Sequence, residues 1–200
     1  MTQRQIILAS QSQQRKNILA TLGLQFKVIP ADLDEQAVQA KTEVQRAVKI
    51  AHAKAHIVSQ QHPQAIVIAA DTYCLLNNQA LEKPQDLSEA QKMLQAMSGQ
   101  EMRALTGFCY LDPQHHITYQ QSIVTQFGFR WLTQAEIDYY VHRQPVLTWS
   151  AAFSPAYDAG TSLVAWSKGS LTSFTHGLPI EEVVKCLQKS QVLKINNSHH

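Results

Sequence analysis

Apolar residues along this chain fall into short runs and helical stripes that alternate through its first half. Residues 6–9 form a brief apolar run, read as a buried strand. Ser12 is placed to cap a helix that carries Ile18, Leu19 and Leu22 on one face, and Gly23 to close it. A second strand is expected over 26–30. Val44, Val48, Ala51, Ala55 and Val58 recur at helical spacing and predict a long amphipathic helix ending before Pro63. Residues 65–70 are wholly apolar and rich in β-branched side chains, which predicts a central strand buried on both faces and ending at Asp71-Thr72.

The second half reads differently. Ser88 with Gln91 resembles a capping box for a helix carrying Ala90, Met93, Leu94 and Met97, closed by Ser98-Gly99. Residues 103–111 and 117–125 flank Asp112-Pro113-Gln114 and predict a hairpin, with 127–131 continuing the sheet. Thr133 with Glu136 forms another capping box, ahead of Ile137, Tyr140 and Val141. A strand is expected over 162–166. Gly177-Leu178-Pro179 introduces a last helix with Ile180, Val183, Val184 and Leu187 apolar. The whole suggests an α/β fold with a mixed sheet.

Composition narrows the function. The 200 residues fit one medium domain, expected over 1–195, with a polar tail at 196–200 expected to be disordered. Hydrophobic residues make up 44% and charged residues 16%, an ordinary globular balance. A net charge of +2 argues against a broad surface for polymeric nucleic acid, though not against a small anionic ligand. No apolar run is long enough to span a membrane, and the polar start does not look like a signal peptide. The three cysteines are scattered, without metal spacing, and read as reduced thiols of a cytoplasmic protein.

Several residues could handle phosphate. Residues 10–15 lie between a strand and a helix start, where backbone N–H groups favour an anion, and Arg15 adds a cation. Asp71 follows six apolar residues, where open α/β sheets place ligands, and could hold Mg²⁺ or Mn²⁺ or orient a water. Lys54 sits among small residues, Lys83 precedes Pro84, and Glu35 lies in a polar loop. Each also has an ordinary reading: a cap, a solvated lysine, a surface loop. His115-His116 at the hairpin tip is read as solvated. Walker A, GxGxxG and GxSxG motifs are absent from the sequence.

The order of these pieces resembles the Maf family of nucleoside triphosphate pyrophosphatases. Leu8-Ala9-Ser10-Gln11-Ser12 with Arg15 and Leu22-Gly23 is similar to the family's opening motif. Asp34-Glu35, Ala53-Lys54-Ala55, Ala70-Asp71-Thr72 and Glu82-Lys83-Pro84 resemble its next four, and Ser98-Gly99, Thr106-Gly107 and Gly177-Leu178-Pro179 its later landmarks. The likeness spans about residues 5 to 190. It implies a mixed central sheet dividing two lobes with a nucleotide cleft between them, as in the ITPase-like folds. It also implies hydrolysis of a nucleoside triphosphate to the monophosphate and pyrophosphate with Mg or Mn, and it allows a homodimer. By motif, Asp71 and Glu35 would serve catalysis and the metal, Lys54 and Lys83 would assist, and Ser10, Ser12 and Arg15 would hold phosphate.

Residues 132–141 and the spacing from Gly169 to Gly177 look most like the 7-methyl-GTP branch of the family, which is the expected substrate class. Thr72 instead matches the dTTP/UTP branch, the alternative. The family's usual Ser-Pro-Arg-Arg run is Ser12-Gln13-Gln14-Arg15-Lys16 here, and Asp158 is the nearest carboxylate to its base-reading segment. Gln14, Thr72 and Asp158 are therefore the expected base-specificity positions. A nucleotide-binding regulator without turnover is the alternative of a different class.

Overall fold

A computed structural model describes residues 4–193 of the chain; the expected tail at 196–200 lies outside the described residues. Seven strands form one mixed sheet. In chain order the elements are β1 (Ile6–Leu8), α1 (Gln13–Ala20), β2 (Lys27–Val28), α2 (Glu43–Gln61), β3 (Ile66–Leu76), β4 (Gln79–Leu81), α3 (Leu87–Met97), β5 (Glu101–Asp112), β6 (Ile117–Phe129), α4 (Gln134–Arg143), α5 (Asp158–Thr161), β7 (Val164–Lys168), α6 (Leu171–His176) and α7 (Ile180–Lys189). Two single-turn 3-10 helices, Val146–Thr148 and Ser150–Ala152, lie between α4 and α5. The strand order is β2-β1-β3-β5-β6-β7, with β4 paired to β3. β1 runs parallel to β2 and to β3, whereas β4 on β3 and β7 on β6 are antiparallel. The mixed α/β sheet expected from the sequence is present.

Two compact units divide the chain. The first holds residues up to Asp71, then Gly107–Ser122, then the chain from Leu178 onward; the second holds Thr72–Thr106 and Ile123–Gly177. In the first, Ile7, Ala9, Val67 and Ala69 pack with Ala51, Ala55 and Val58 of α2 and with Cys109 and Leu111 of β5. Burial of each large aliphatic side chain here contributes roughly 1.5–3 kcal/mol. In the second, Phe127, Phe129, Phe153 and Phe174 form an aromatic cluster, its centroids 4.7–6.4 Å apart. Among the described residues, no helix is long and apolar enough to cross a membrane.

The helix caps and strand ends follow local chemistry, with corrections. Ser12 caps α1, and Thr133 with Glu136 forms the expected capping box on α4. The Ser88–Gln91 capping box does not form. Asp86 caps α3 instead, accepting from the Glu89 N–H, because a carboxylate directly after the Pro84 loop reaches that donor first. On α2 the expected Ala51, Ala55 and Val58 are buried, together with Ala47, Ile50 and Lys54, whereas Val44 is exposed. The expected strand over 26–30 shrinks to two exposed residues at the sheet edge, and 117–125 and 127–131 merge into one strand, β6.

The largest correction concerns β3. It does not stop at Asp71 but continues to Leu76, because Tyr73, Cys74 and Leu75 are also buried and β4 turns back to pair with them. That turn is made by Asn77 and Asn78, both at positive φ (50° and 67°), as a two-residue hairpin requires. α6 was not foreseen either. His115 is not simply solvated: its Nδ1 lies 2.8 Å from Asp112, which also takes a two-pronged hydrogen bond from Arg4.

Two consequences are measurable. A Cβ on Gly107 would lie 2.1 Å from the carbonyl oxygen of Ala47 in α2, so glycine is what lets this helix sit on β5. Gly107→Ala is expected to lower stability by about 3 kcal/mol, read as a shift in the urea midpoint. Burial of Asp112 would by itself raise its carboxyl pKa, but hydrogen bonds from Arg4, Ser190 and His115 prevail and hold it well below the ordinary range. A depressed folded-state pKa gives stability that is present above the unfolded value, about 4, and is lost as pH falls below it. Acid titration of folding is expected to be steeper in the wild type than in Asp112→Asn below about pH 4.

Candidate active site

Parallel pairing along one flank of β3 ends at Leu8 opposite Ile68, with the Ala9 N–H still donating to the Ile68 carbonyl at 2.8 Å. Antiparallel pairing with β4 begins only at Cys74 opposite Leu81. Asp71 therefore lies just past the carboxyl end of the parallel segment, although inside a longer strand. This is where open parallel sheets leave room for a ligand. Its side chain is nearly buried, as the apolar run before it requires.

A buried carboxylate needs a partner. Lys54 supplies it from the middle of α2, with Nζ 2.9 Å from Asp71 Oδ1. The same nitrogen lies 2.8 Å from Glu35 Oε1. Lys54 is only 8% exposed, so the ordinary reading of a solvated helix lysine does not hold. The alanines on either side, Ala53 and Ala55, bring the helix backbone near the sheet and leave the long lysine stem to cross the remaining distance. Glu35 comes from the loop before α2 and is about half exposed at its side chain. That loop is fastened to the helix: Arg46 donates to the Glu35 carbonyl at 3.2 Å, and Lys49 donates to the Gln39 carbonyl at 3.0 Å. Asp34 accepts from the Gln36 and Ala37 N–H groups and shapes the turn that presents Glu35.

Residues 10–15 assemble around the nearly buried Ser10 hydroxyl, which accepts from Arg15 Nη1 at 3.0 Å and from the Ser12 N–H at 3.2 Å. Ser12 caps α1 through the Arg15 N–H and donates to Gln14 Oε1 at 2.9 Å. Burial lowers the Arg15 pKa, while the negative charges of Asp71 and Glu35 raise it. Ser10, Ser12, Gln14, Arg15, Glu35, Lys54 and Asp71 all belong to the first unit.

Three expected residues lie elsewhere. Lys83 is exposed on the loop after β4, in the second unit. Thr72 is also in that unit, with its hydroxyl bonded to Thr106 and to the Gly177 carbonyl. Asp158 begins α5, and its side chain lies outside what the structure describes. The sequence reading missed Arg46 and Lys49, because their partners are backbone carbonyls of an irregular loop and no residue pattern announces them.

The two carboxylates can be tested as a cation site. Mg²⁺ binds hard oxygens and commonly takes one or two carboxylates, completing its shell with water and substrate phosphates. Glu35 and Asp71 meet at one ammonium and offer that donor set. Among the described residues no group of three or more His, Cys, Asp and Glu could hold a metal ion; an ion at this pair would complete its shell with water and substrate phosphate.

The three buried cysteines are free, and burial raises the thiols of Cys74 and Cys109 to about 12 and of Cys186 to about 11, so thiolate chemistry is not available to them near neutral pH.

Lys54→Met is expected to remove the ammonium bonded to the buried Asp71, at a cost of about 3 kcal/mol. Asp71→Asn leaves Lys54 its Glu35 partner and is expected to cost about 1 kcal/mol. Urea denaturation at neutral pH checks the order; an equal cost for both variants would contradict the shared-ammonium geometry.

The profile of a family described as Maf-like protein matches residues 5–190. The chain is 36% identical over 185 residues to the dTTP/UTP pyrophosphatase of Myxococcus xanthus, covering 92% of each. It is 32% identical over 193 residues to the dTTP/UTP pyrophosphatase of Pyrococcus furiosus, covering 96% of this chain and 98% of that one. Among solved structures, a HAM1 protein from Coxiella burnetii matches with a TM-score of 0.54 at 16% identity, over 93% of this chain and 99% of that chain. At that identity the likeness concerns the fold alone.

Proposed function

The chain belongs to the Maf-like protein family, and from that premise we propose that it hydrolyses a nucleoside triphosphate to the monophosphate and pyrophosphate. The observation that carries the reading is the single Lys54 ammonium joining Asp71 and Glu35 beside Arg15. Hydrolysis of a phosphoanhydride depends mainly on placing a water in line and on neutralising charge, and this cluster offers groups for both.

In this reading Asp71 is the base. Lys54 engages its Oδ1, and the carboxylate accepts a proton from the attacking water. Glu35 flanks the same position from its fastened loop. Arg15, Ser10 and Ser12 receive the phosphates at the start of α1, where N–H groups and the helix dipole favour anions. Lys83, which the family likeness suggests for the phosphates, lies on an exposed loop of the other unit. Mg²⁺ or Mn²⁺ held by Asp71 and Glu35 would neutralise charge on the phosphates.

For the base, we take dTTP and UTP as the preferred substrates. The relatives from Myxococcus xanthus and Pyrococcus furiosus both carry that name, and Thr72 is the residue that resembles the same branch. This departs from the 7-methyl-GTP class suggested by residues 132–141. Gln14 and Asp158 remain the positions to probe for base choice.

Release of pyrophosphate should be measured with dTTP, UTP, CTP and 7-methyl-GTP, with Mg²⁺, with Mn²⁺ and with excess chelator. The expected result is metal-dependent turnover with kcat/KM for dTTP and UTP about tenfold or more above that for the other two. Asp71→Asn is expected to lower kcat by about 10²- to 10⁴-fold. Highest activity on 7-methyl-GTP would return the specificity to that branch. Nucleotide-induced thermal stabilisation without pyrophosphate release would instead mark a binding protein.

A further inference from the structure

Thr72 and Thr106 place their hydroxyl oxygens 3.0 Å apart, and Thr72 Oγ1 donates to the Gly177 carbonyl at 3.3 Å. A threonine hydroxyl carries one proton. With the Thr72 proton on Gly177, Thr106 must be the donor between the two hydroxyls. The bonds therefore run in one direction, from Thr106 to Thr72 to Gly177. Thr106 is fully buried, so its hydroxyl takes Thr72 as acceptor with no competing water.

All three residues occupy special places along the chain. Each belongs to the second unit, and each is joined by a peptide bond to a residue of the first: Thr72 to Asp71, Thr106 to Gly107, Gly177 to Leu178. The hydroxyl chain thus ties together three of the points at which the polypeptide passes from one unit to the other.

Asp71 is where this matters. Successive side chains of a strand point to opposite faces, so Asp71 and Thr72 are held from opposite sides. On the flank where β1 pairs up to Ile68 and β4 pairs from Cys74, residues 70–73 lie between the two pairings. The Thr106 and Gly177 bonds to Thr72 supply a side-chain restraint at that gap, one residue from the carboxylate.

We propose that Thr106 is a positioning residue for Asp71: through Thr72, its hydroxyl fixes the part of β3 that carries the carboxylate. This rests on the reading of Asp71 as the base. Thr106→Val keeps the side-chain shape and removes the donor; Thr106→Ser keeps the donor. With dTTP and UTP, well below the melting temperature of either variant, Thr106→Val is expected to lower kcat about tenfold with KM little changed, and Thr106→Ser to restore most of it. Amide hydrogen exchange over residues 69–73 is expected to quicken in Thr106→Val and not in Thr106→Ser. Unchanged kcat in Thr106→Val, a loss that Thr106→Ser fails to restore, or a change confined to KM would overturn the proposal. If the wild type releases no pyrophosphate from any nucleotide, the reading of function fails instead, and the exchange measurement still decides the restraint: equal exchange in both variants overturns it.

Discussion

The candidate site is organised around one ammonium group. Asp71 is almost buried, and Glu35 approaches the same point from a loop. Two carboxylates so close repel, and a carboxylate taken out of water is costly unless it is paired. Lys54 answers both problems at once. Its presence fixes requirements elsewhere: α2 must lie near the sheet, its facing side must be small, and β5 must offer no Cβ at Gly107. The loop that carries Glu35 must also be tied to the same helix, as Arg46 and Lys49 do.

β3 is the second constraint. It exchanges a parallel partner for an antiparallel one along a single strand, and Asp71 sits in the interval between them. That interval gives a side chain room to face a ligand while the strand itself remains continuous. A strand that simply ended at Asp71 would leave the carboxylate on a freer loop. Continuation to Leu76, with hydroxyl bonds at Thr72, keeps it within a continuous strand. Rigid placement matters for a reaction whose catalysis consists largely of geometry and charge.

Fold and substrate choice are separate questions in this protein. The match to a HAM1 structure at 16% identity concerns the architecture, and such architectures host many specificities. The charge cluster lies in one unit, whereas Thr72 and Asp158, two of the positions considered for the base, lie in the other.

Much of this was legible in the amino-acid order. The apolar run before Asp71, the alanines around Lys54, the caps at Ser12 and Thr133 and the mixed sheet are local patterns, set by periodicity and by hydrogen bonding within a few residues. Other features were not, because they depend on partners distant in sequence. The extension of β3 depends on β4 folding back, and the close seat of α2 on β5 depends on the approach that Gly107 permits. The cap at Asp86 was decided by which oxygen reached the Glu89 N–H. Above all, the sequence named Lys54, Glu35 and Asp71 as separate candidates, each with an ordinary alternative. Only the tertiary structure brought the three to one nitrogen, because the attraction between them acts across 17 or more residues and leaves no periodic trace in the chain.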